Sequence, residues 1–119
     1  MVGDPFADSG NPNTKTLKVA PVSTDAVGGD KTLIVAIPGQ RLKVYALVLS
    51  ASVATTLTWK SGATALSGAY SIGANALIAL VIEPPAYLFG TNPGDPLILN
   101  VSGLAAIAGW LSYWDDDMV

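Results

Sequence analysis

Apolar residues alternate with polar or small residues through most of the chain after residue 13, and turn-forming residues interrupt the alternation about every ten positions. Roughly eight short segments of this kind are typical of antiparallel sandwiches and barrels. No segment shows a convincing helical period, and the glycines and aromatic end of the ambiguous stretch "GLAAIAGWLSYW" favour a strand. We therefore predict an all-β fold, an antiparallel, jelly-roll-like β-sandwich that residues 14–119 form as a single domain.

Two turns can be predicted from their residues. Proline presets φ at Pro38 and glycine accepts a positive φ at Gly39, so this pair suits the centre of a type II turn, and we predict a hairpin there. The stretch "LTWKSGATALSG" reads as strand, turn and strand, with Gly62 at the bend. Because side chains alternate along a strand, Trp59 and Lys60 are expected on opposite sides of it.

The segment "QRLKVYALVLSASVA" follows the first turn and is predicted to be a strand. Strict alternation puts Leu42, Val44, Ala46 and Val48 on one side of it. We expect its first half to be half-exposed and its second half to be buried on both faces.

The composition is unusually apolar for so small a chain. Half of the 119 residues are hydrophobic, the mean hydropathy is +0.47, and 13% are charged, about half the fraction usual for soluble domains. This excess suggests that other copies or a partner cover part of the surface. The apolar runs are too short or too interrupted for the roughly 20 residues that span a bilayer, so we predict no membrane segment.

The charges and the N-terminal stretch bear on partners and location. The six basic residues are scattered through the first half and form no basic stripe, which argues against a nucleic-acid partner. The N-terminal stretch lacks the basic and apolar regions of a secretory signal. We therefore expect the chain to be made in a cytoplasm.

The chain contains no histidine and no cysteine. This removes catalytic triads, Cys–His pairs and histidine or thiolate metal sites together. Lys60, Ser61 and Gly62 offer residue types found in phosphate loops and serine nucleophiles, but Lys60 follows Trp59 in a strand, without a glycine-rich turn or a helix. The aspartates at 115–117 read as a solubilising end rather than a calcium site. We predict no enzyme, no catalytic residue, no cofactor and no metal.

Residues 1–13 are predicted to form an extended N-terminal arm. They mix glycine, proline, acids and asparagine, a composition that does not order by itself. The aromatic side chain in this stretch belongs to Phe6, which follows Pro5. We predict that Pro5 and Phe6 bind a partner, with Phe6 anchoring the arm on a neighbouring protein.

Three tryptophans, Trp59, Trp110 and Trp114, complete the set of candidate partner-binding residues. Trp110 and Trp114 are an even number of positions apart, so in a regular strand they would share one face. Tryptophans of this kind serve in cores, in protein interfaces or as stacking platforms for sugars. The residues alone leave these three roles open.

The segment "RLKVYALVLSASVATTLTWKSGATALSGAYSIGANALIALV", with "GDPLILNVSG" and the closing "GWLSYW", resembles small structural proteins of tailed bacteriophages. The shared features are a basic opening strand, "LSAS", a "T-W/F-K-S-G" hairpin, "ALSG", a "GAN" turn, "PGDPL" and "N-x-S" before the last strand. The resemblance covers roughly residues 40–114 and leaves the arm unmatched. It implies a β-sandwich or jelly-roll component of the virion that works by binding.

The shared motifs do not distinguish decoration proteins from head-fibre or tail-associated proteins, and our first hypothesis is a capsid decoration, or cement, protein. Such a protein would form a homotrimer, bind the outer surface of the phage head and stabilise it by bridging copies of the major capsid protein. The alternative is a head-fibre or tail-associated protein that acts as a carbohydrate-binding module, with Trp110 and Trp114 stacking on sugar rings. Both are binding proteins without catalysis.

Overall fold

The structure, a computed structural model, describes residues 17–84 and 86–117, and this part of the chain contains strands, turns and loops but no helix. It therefore offers no helix that could cross a membrane. The strands in chain order are β1 (Lys18–Ser23), β2 (Gly29–Ile34), β3 (Gln40–Ala51), β4 (Thr55–Ser61), β5 (Thr64–Ala65), β6 (Tyr70–Ile72), β7 (Leu77–Val81), β8 (Phe89–Gly90), β9 (Leu97–Val101) and β10 (Ile107–Asp117).

The strands form two antiparallel sheets that pack against each other. Sheet A has the order β1-β10-β3-β7, and the short β8 also pairs with β3. Sheet B has the order β2-β9-β4-β5, and β6 also pairs with β4. The predicted all-β sandwich is thereby confirmed, whereas its jelly-roll-like topology stays a prediction. The predicted arm, residues 1–13, lies outside the described residues.

The core lies between the two sheets. Leu42 and Leu49 of β3, Leu57 of β4, Leu99 of β9 and Leu111 of β10 are completely buried. They alternate with less buried residues because successive side chains of a strand point to opposite faces. Burying one such side chain contributes about 1.5–3 kcal/mol, so these central strands hold the sandwich together by packing.

The alternation in β3 changes phase at a β-bulge. The register between β10 and β3 shifts between Ser112 and Tyr113, which leaves Tyr45 of β3 without a residue opposite it. Before the bulge the even-numbered Val44 is buried in the core, and after it the odd-numbered Leu47 is. The predicted even-numbered face is therefore correct only as far as Val44, because the extra residue moves every later side chain to the other face.

The turn at Pro38 and Gly39 has the predicted geometry but a different role. The N–H of Gln40 donates to the C=O of Ile37 at 3.0 Å, and Gly39 has φ +72°. The flanking strands do not pair with each other, because β2 pairs with β9 in sheet B whereas β3 pairs with β10 and β7 in sheet A. The predicted hairpin is therefore wrong, and this turn carries the chain from one sheet to the other.

The predicted strand–turn–strand around Gly62 is confirmed. Lys60 pairs with Ala65 and Ser61 with Thr64, so β4 and β5 form a tight hairpin. Gly62 adopts φ +56°, a conformation that glycine enters without a steric penalty.

Candidate functional site

The outer side of sheet A, which faces away from sheet B, is an apolar surface. Residues in register form three rows across β1, β10, β3 and β7 on this side. The rows are Val19, Ser112, Ala46 and Val81; then Pro21, Trp110, Val48 and Ala79; then Ser23, Ala108, Ser50 and Leu77. We call these three rows the apolar face, since they hold no charge and no polar side chain larger than serine.

The rows point outward because the residues between them point into the core. Val22, Leu47, Leu49 and Leu111 alternate with the rows along their strands and are at most 2% exposed. In the first row the small side chains on the two inner strands are close-packed, since Ala46 retains 5% and Ser112 6% of its accessible surface.

Large side chains of the apolar face stand in solvent. Val19 is 68% exposed, Leu77 67%, Val81 73% and Trp110 41%. An antiparallel sheet that faces water normally places polar residues on that side. Three rows across four strands outline roughly 400 Å², within the size range of the largest apolar patch on a typical monomer, which is often a functional surface. Covering such an area is worth up to about 10 kcal/mol before the costs of association.

The outer side of sheet B shows the polar pattern that sheet A lacks. Asp30, Asn100 and Thr58 lie in register across β2, β9 and β4. The Nζ of Lys60 lies 3.0 and 3.2 Å from the two carboxylate oxygens of Asp30, and the Asn100 side-chain amide donates to Asp30 at 2.8 Å. The Asn100 hydrogen bond and then Lys60 lower the pKa of Asp30. The two outer surfaces therefore differ in kind, and only sheet A presents an unpartnered apolar one within the described residues.

Trp110 and Trp114 lie on the same side of β10, as their spacing predicts, but only one of them is available. Trp114 is 2% exposed, and its ring centroid lies 5.8 Å from that of Tyr45 and 6.0 Å from that of Tyr87. The Nζ of Lys43 lies 4.9 Å from the Tyr87 ring centroid, within cation–π distance. Trp114 thus belongs to an aromatic cluster at one end of the apolar face, whereas Trp110 stands near the middle of that face.

Trp59 lies in the core between the sheets, where it is 2% exposed. Its Nε1–H donates to the hydroxyl of Tyr70 at 2.7 Å, and its ring centroid lies 4.9 Å from that of Phe89. Such a side chain has no surface to offer a partner. Pro5 and Phe6, the two candidates in the predicted arm, lie outside the described residues.

Ser61 acts as a structural link between β4 and the loop before β9. Its side chain is buried, its hydroxyl donates to Oδ2 of Asp95 at 2.9 Å, and it accepts the N–H of Asn92 at 2.8 Å. Both capacities of the hydroxyl are therefore used within the chain. This bonding explains why a serine stands between Lys60 and Gly62 without forming a phosphate loop.

A polar groove of about 330 Å³ runs between the edge strands β1 and β2. The charged groups that line it are paired: Lys31 contacts Asp25 at 2.6 Å, and Asp30 contacts Lys60. Residues 17–84 and 86–117 contain no group of three or more acidic, histidine or cysteine side chains that could hold a metal ion. The groove gives no sign of a ligand.

The sequence did not lead us to the exposed residues of the apolar face on β1 and β7, which are Val19, Leu77 and Val81. The signal was present in "NALIALVIE", where apolar residues occupy both alternating positions of Leu77–Val81. Such a run reads as a strand buried on both faces. Within the described residues β7 is an edge strand, and its pairing partners there show that one side of it is open.

Comparison with known proteins adds no assignment. The sequence matches no known family model, and it matches no curated protein.

Proposed function

We propose that this chain is a non-enzymatic structural protein of a tailed-bacteriophage virion, a decoration protein that binds the outside of the head through its apolar face. The observation that carries the proposal is the contrast between the two outer surfaces, one apolar and open, the other polar and internally paired. The resemblance of residues 40–114 to phage structural proteins supplies the class of partner.

The strand order supports the jelly-roll-like description that belongs to this proposal. Consecutive strands β1, β2, β3 and β4 alternate between the sheets. When the two-residue strands β5 and β8 are left out, the orders are β1-β10-β3-β7 and β2-β9-β4-β6. Two four-stranded layers connected in this crossing manner are the pattern of double Greek-key sandwiches.

In the proposed mechanism the apolar face seats on copies of the major capsid protein, while the polar side of sheet B faces solvent. A decoration protein stabilises a head by binding two neighbouring subunits at once, since the free energy of both contacts opposes their separation. The predicted arm, residues 1–13, would extend over a second subunit, with Phe6 in a pocket and Pro5 restricting the chain beside it.

The proposal is tested by co-sedimentation of the purified protein with undecorated heads of the phage that encodes it. We expect the substitutions W110K and V19K, both on the apolar face, to weaken head binding at least ten-fold, or about 1.4 kcal/mol each. The matched control is T32K, which adds the same charge to an exposed position on the outer side of sheet B. Equal binding by W110K, V19K and T32K would exclude the apolar face as the contact.

The arm is tested separately by deleting residues 1–13. We expect the truncated protein to keep its thermal stability, because residues 1–13 mix glycine, proline, acids and asparagine, a composition that does not order by itself, and to lose head stabilisation. Unchanged head binding and unchanged resistance of the heads to heating would exclude the arm from the mechanism.

The carbohydrate-binding alternative now depends mainly on Trp110, because Trp114 is 2% exposed and offers no ring face for stacking. Tryptophan fluorescence during titration with host polysaccharides distinguishes it from head binding. A saturable change that W110K abolishes would favour the sugar-binding function over the decoration function.

A further inference from the structure

The edge strand β7 offers an unpaired backbone to another strand. Among the described residues only β3 pairs with it along its length. Its sequence, Leu-Ile-Ala-Leu-Val, holds no charge, proline or glycine, and Leu77, Leu80 and Val81 are between 50% and 73% exposed. An uncharged apolar edge of this kind is a template for strand addition.

The other sheet edges of the described part are guarded against such pairing. β1 carries Lys18 and Pro21, and proline lacks the N–H that a further strand would need. β2 carries Asp30 and Lys31. At the remaining edge, β5 and β6 are two and three residues long. Charges, proline and short length are the usual devices that prevent edge pairing. β7 has no charged residue and no proline, and it spans five residues.

The direction of the free backbone groups follows from one hydrogen bond. The N–H of Ile82 donates to the C=O of Tyr45 at 2.8 Å, in register with the pairing of β7 and β3. In an antiparallel pair the residues alternate between bonding the neighbour and pointing away from it. Leu77, Ala79 and Val81 therefore direct their N–H and C=O groups to the open side.

We propose that two copies of this chain pair through β7, antiparallel about a two-fold axis at Ala79. Ala79 then faces Ala79 of the second copy, and Leu77 faces Val81, with about six hydrogen bonds between the copies. A two-fold axis places β7 of one copy beside β7 of the other, so a charged residue near the axis would lie opposite the same charge on the second copy. The absence of charge from β7 makes the strand self-complementary, and it leaves a charged foreign strand nothing to pair with.

The pairing joins the two apolar faces into one surface. The two-fold axis is perpendicular to the sheet, so sheet A continues from one copy into the other and both apolar faces lie on the same side. Leu80, which points to the opposite side and is 50% exposed, then lies next to Ile78 of the second copy. This arrangement does not depend on the decoration function, but it would present two capsid-binding surfaces side by side.

The experiment is a molar-mass measurement by size exclusion with light scattering on the full chain. We expect two copies for the natural sequence. A79K alone and A79E alone place like charges against each other at the axis and weaken the pairing at least about ten-fold. Mixing A79K with A79E places opposite charges there and restores the pair. This rescue also shows that both variants are folded.

Two further variants separate edge pairing from packing of one face on another. A79P removes an N–H that points away from β3, so it keeps the β3–β7 ladder and blocks the pairing. A108K adds a charge to the exposed end of the apolar face on β10, away from β7, and should leave the pair intact. The proposal would be overturned if the natural sequence proved to be a single copy or a homotrimer, or if the mixed variants failed to pair. It would also be overturned if A108K lost the pair while A79P kept it.

Discussion

Gly109 of β10 is the position where the smallest substitution should have the largest effect on the sandwich. Its φ is +144°, a conformation that residues with a side chain rarely adopt. A Cβ built at Gly109 would overlap the carbonyl oxygen of Val48 and lie 2.8 Å from the Val48 carbonyl carbon and 3.1 Å from Leu49 Cα. These atoms belong to the backbone of β3, in the middle of sheet A, and cannot move aside as a flexible side chain would.

The cost of G109A can be worked from this geometry. The unfavourable φ contributes about 1–3 kcal/mol. Displacing the β3 backbone weakens two or three hydrogen bonds of the ladder with β10, at about 1 kcal/mol each. The expected loss is about 4 kcal/mol, a large part of the roughly 5–15 kcal/mol that stabilises a typical domain. It corresponds to a fall in Tm of about 15 °C for a chain of this size.

The measurement is urea unfolding followed by tryptophan fluorescence, with the free energy of unfolding extrapolated to water. The matched control is G68A, because a Cβ at Gly68 would meet no atom within 4 Å. We expect G68A to remain within about 0.5 kcal/mol of the natural protein. A loss below about 1 kcal/mol for G109A would refute the close approach of β10 to β3.

Two further substitutions test polar contacts on either side of sheet B. Y70F removes the acceptor of the Trp59 indole N–H and leaves that N–H in the core without a hydrogen bond. It should lower the free energy of unfolding by about 1–2 kcal/mol. A change below about 0.3 kcal/mol would contradict the hydrogen bond. The pKa of Asp30 is lowered by the Asn100 hydrogen bond and by Lys60, so its contribution to stability is present above the unfolded-state value and is lost as pH falls through the folded-state value. D30N should therefore flatten the decline of Tm below about pH 4; an unchanged profile would show that Asp30 makes no such contribution.

The strands could be predicted from the sequence because alternation is a local property. The hairpin at Gly62 was predictable for the same reason, since its strands are adjacent in the chain. The bulge at Tyr45 was not, because it arises from the register with β10, more than half the chain away. The turn at Pro38 and Gly39 shows the same limit: its dihedral angles follow from the two residues, whereas the sheet that each flanking strand joins depends on distant partners.

The candidate surface was only partly predictable. The spacing of Trp110 and Trp114 correctly placed both on one side of β10, but their exposure depends on Tyr45 and Tyr87, which cover only Trp114. Trp59 occupies the same kind of alternating position and lies in the core because it shares with Leu57 the side of β4 that packs against sheet A. Sequence periodicity identifies two sides of a strand, and only the packing of the sheets decides which of them faces water.

The most direct test of the apolar face as the binding surface is hydroxyl-radical footprinting of the protein free and bound to undecorated heads. We expect the oxidation of Trp110, at the middle of the apolar face, to fall several-fold on binding. Ile98, which lies on the outer side of sheet B, should be oxidised equally in both states. Protection of Ile98 with continued oxidation of Trp110 would contradict binding through sheet A.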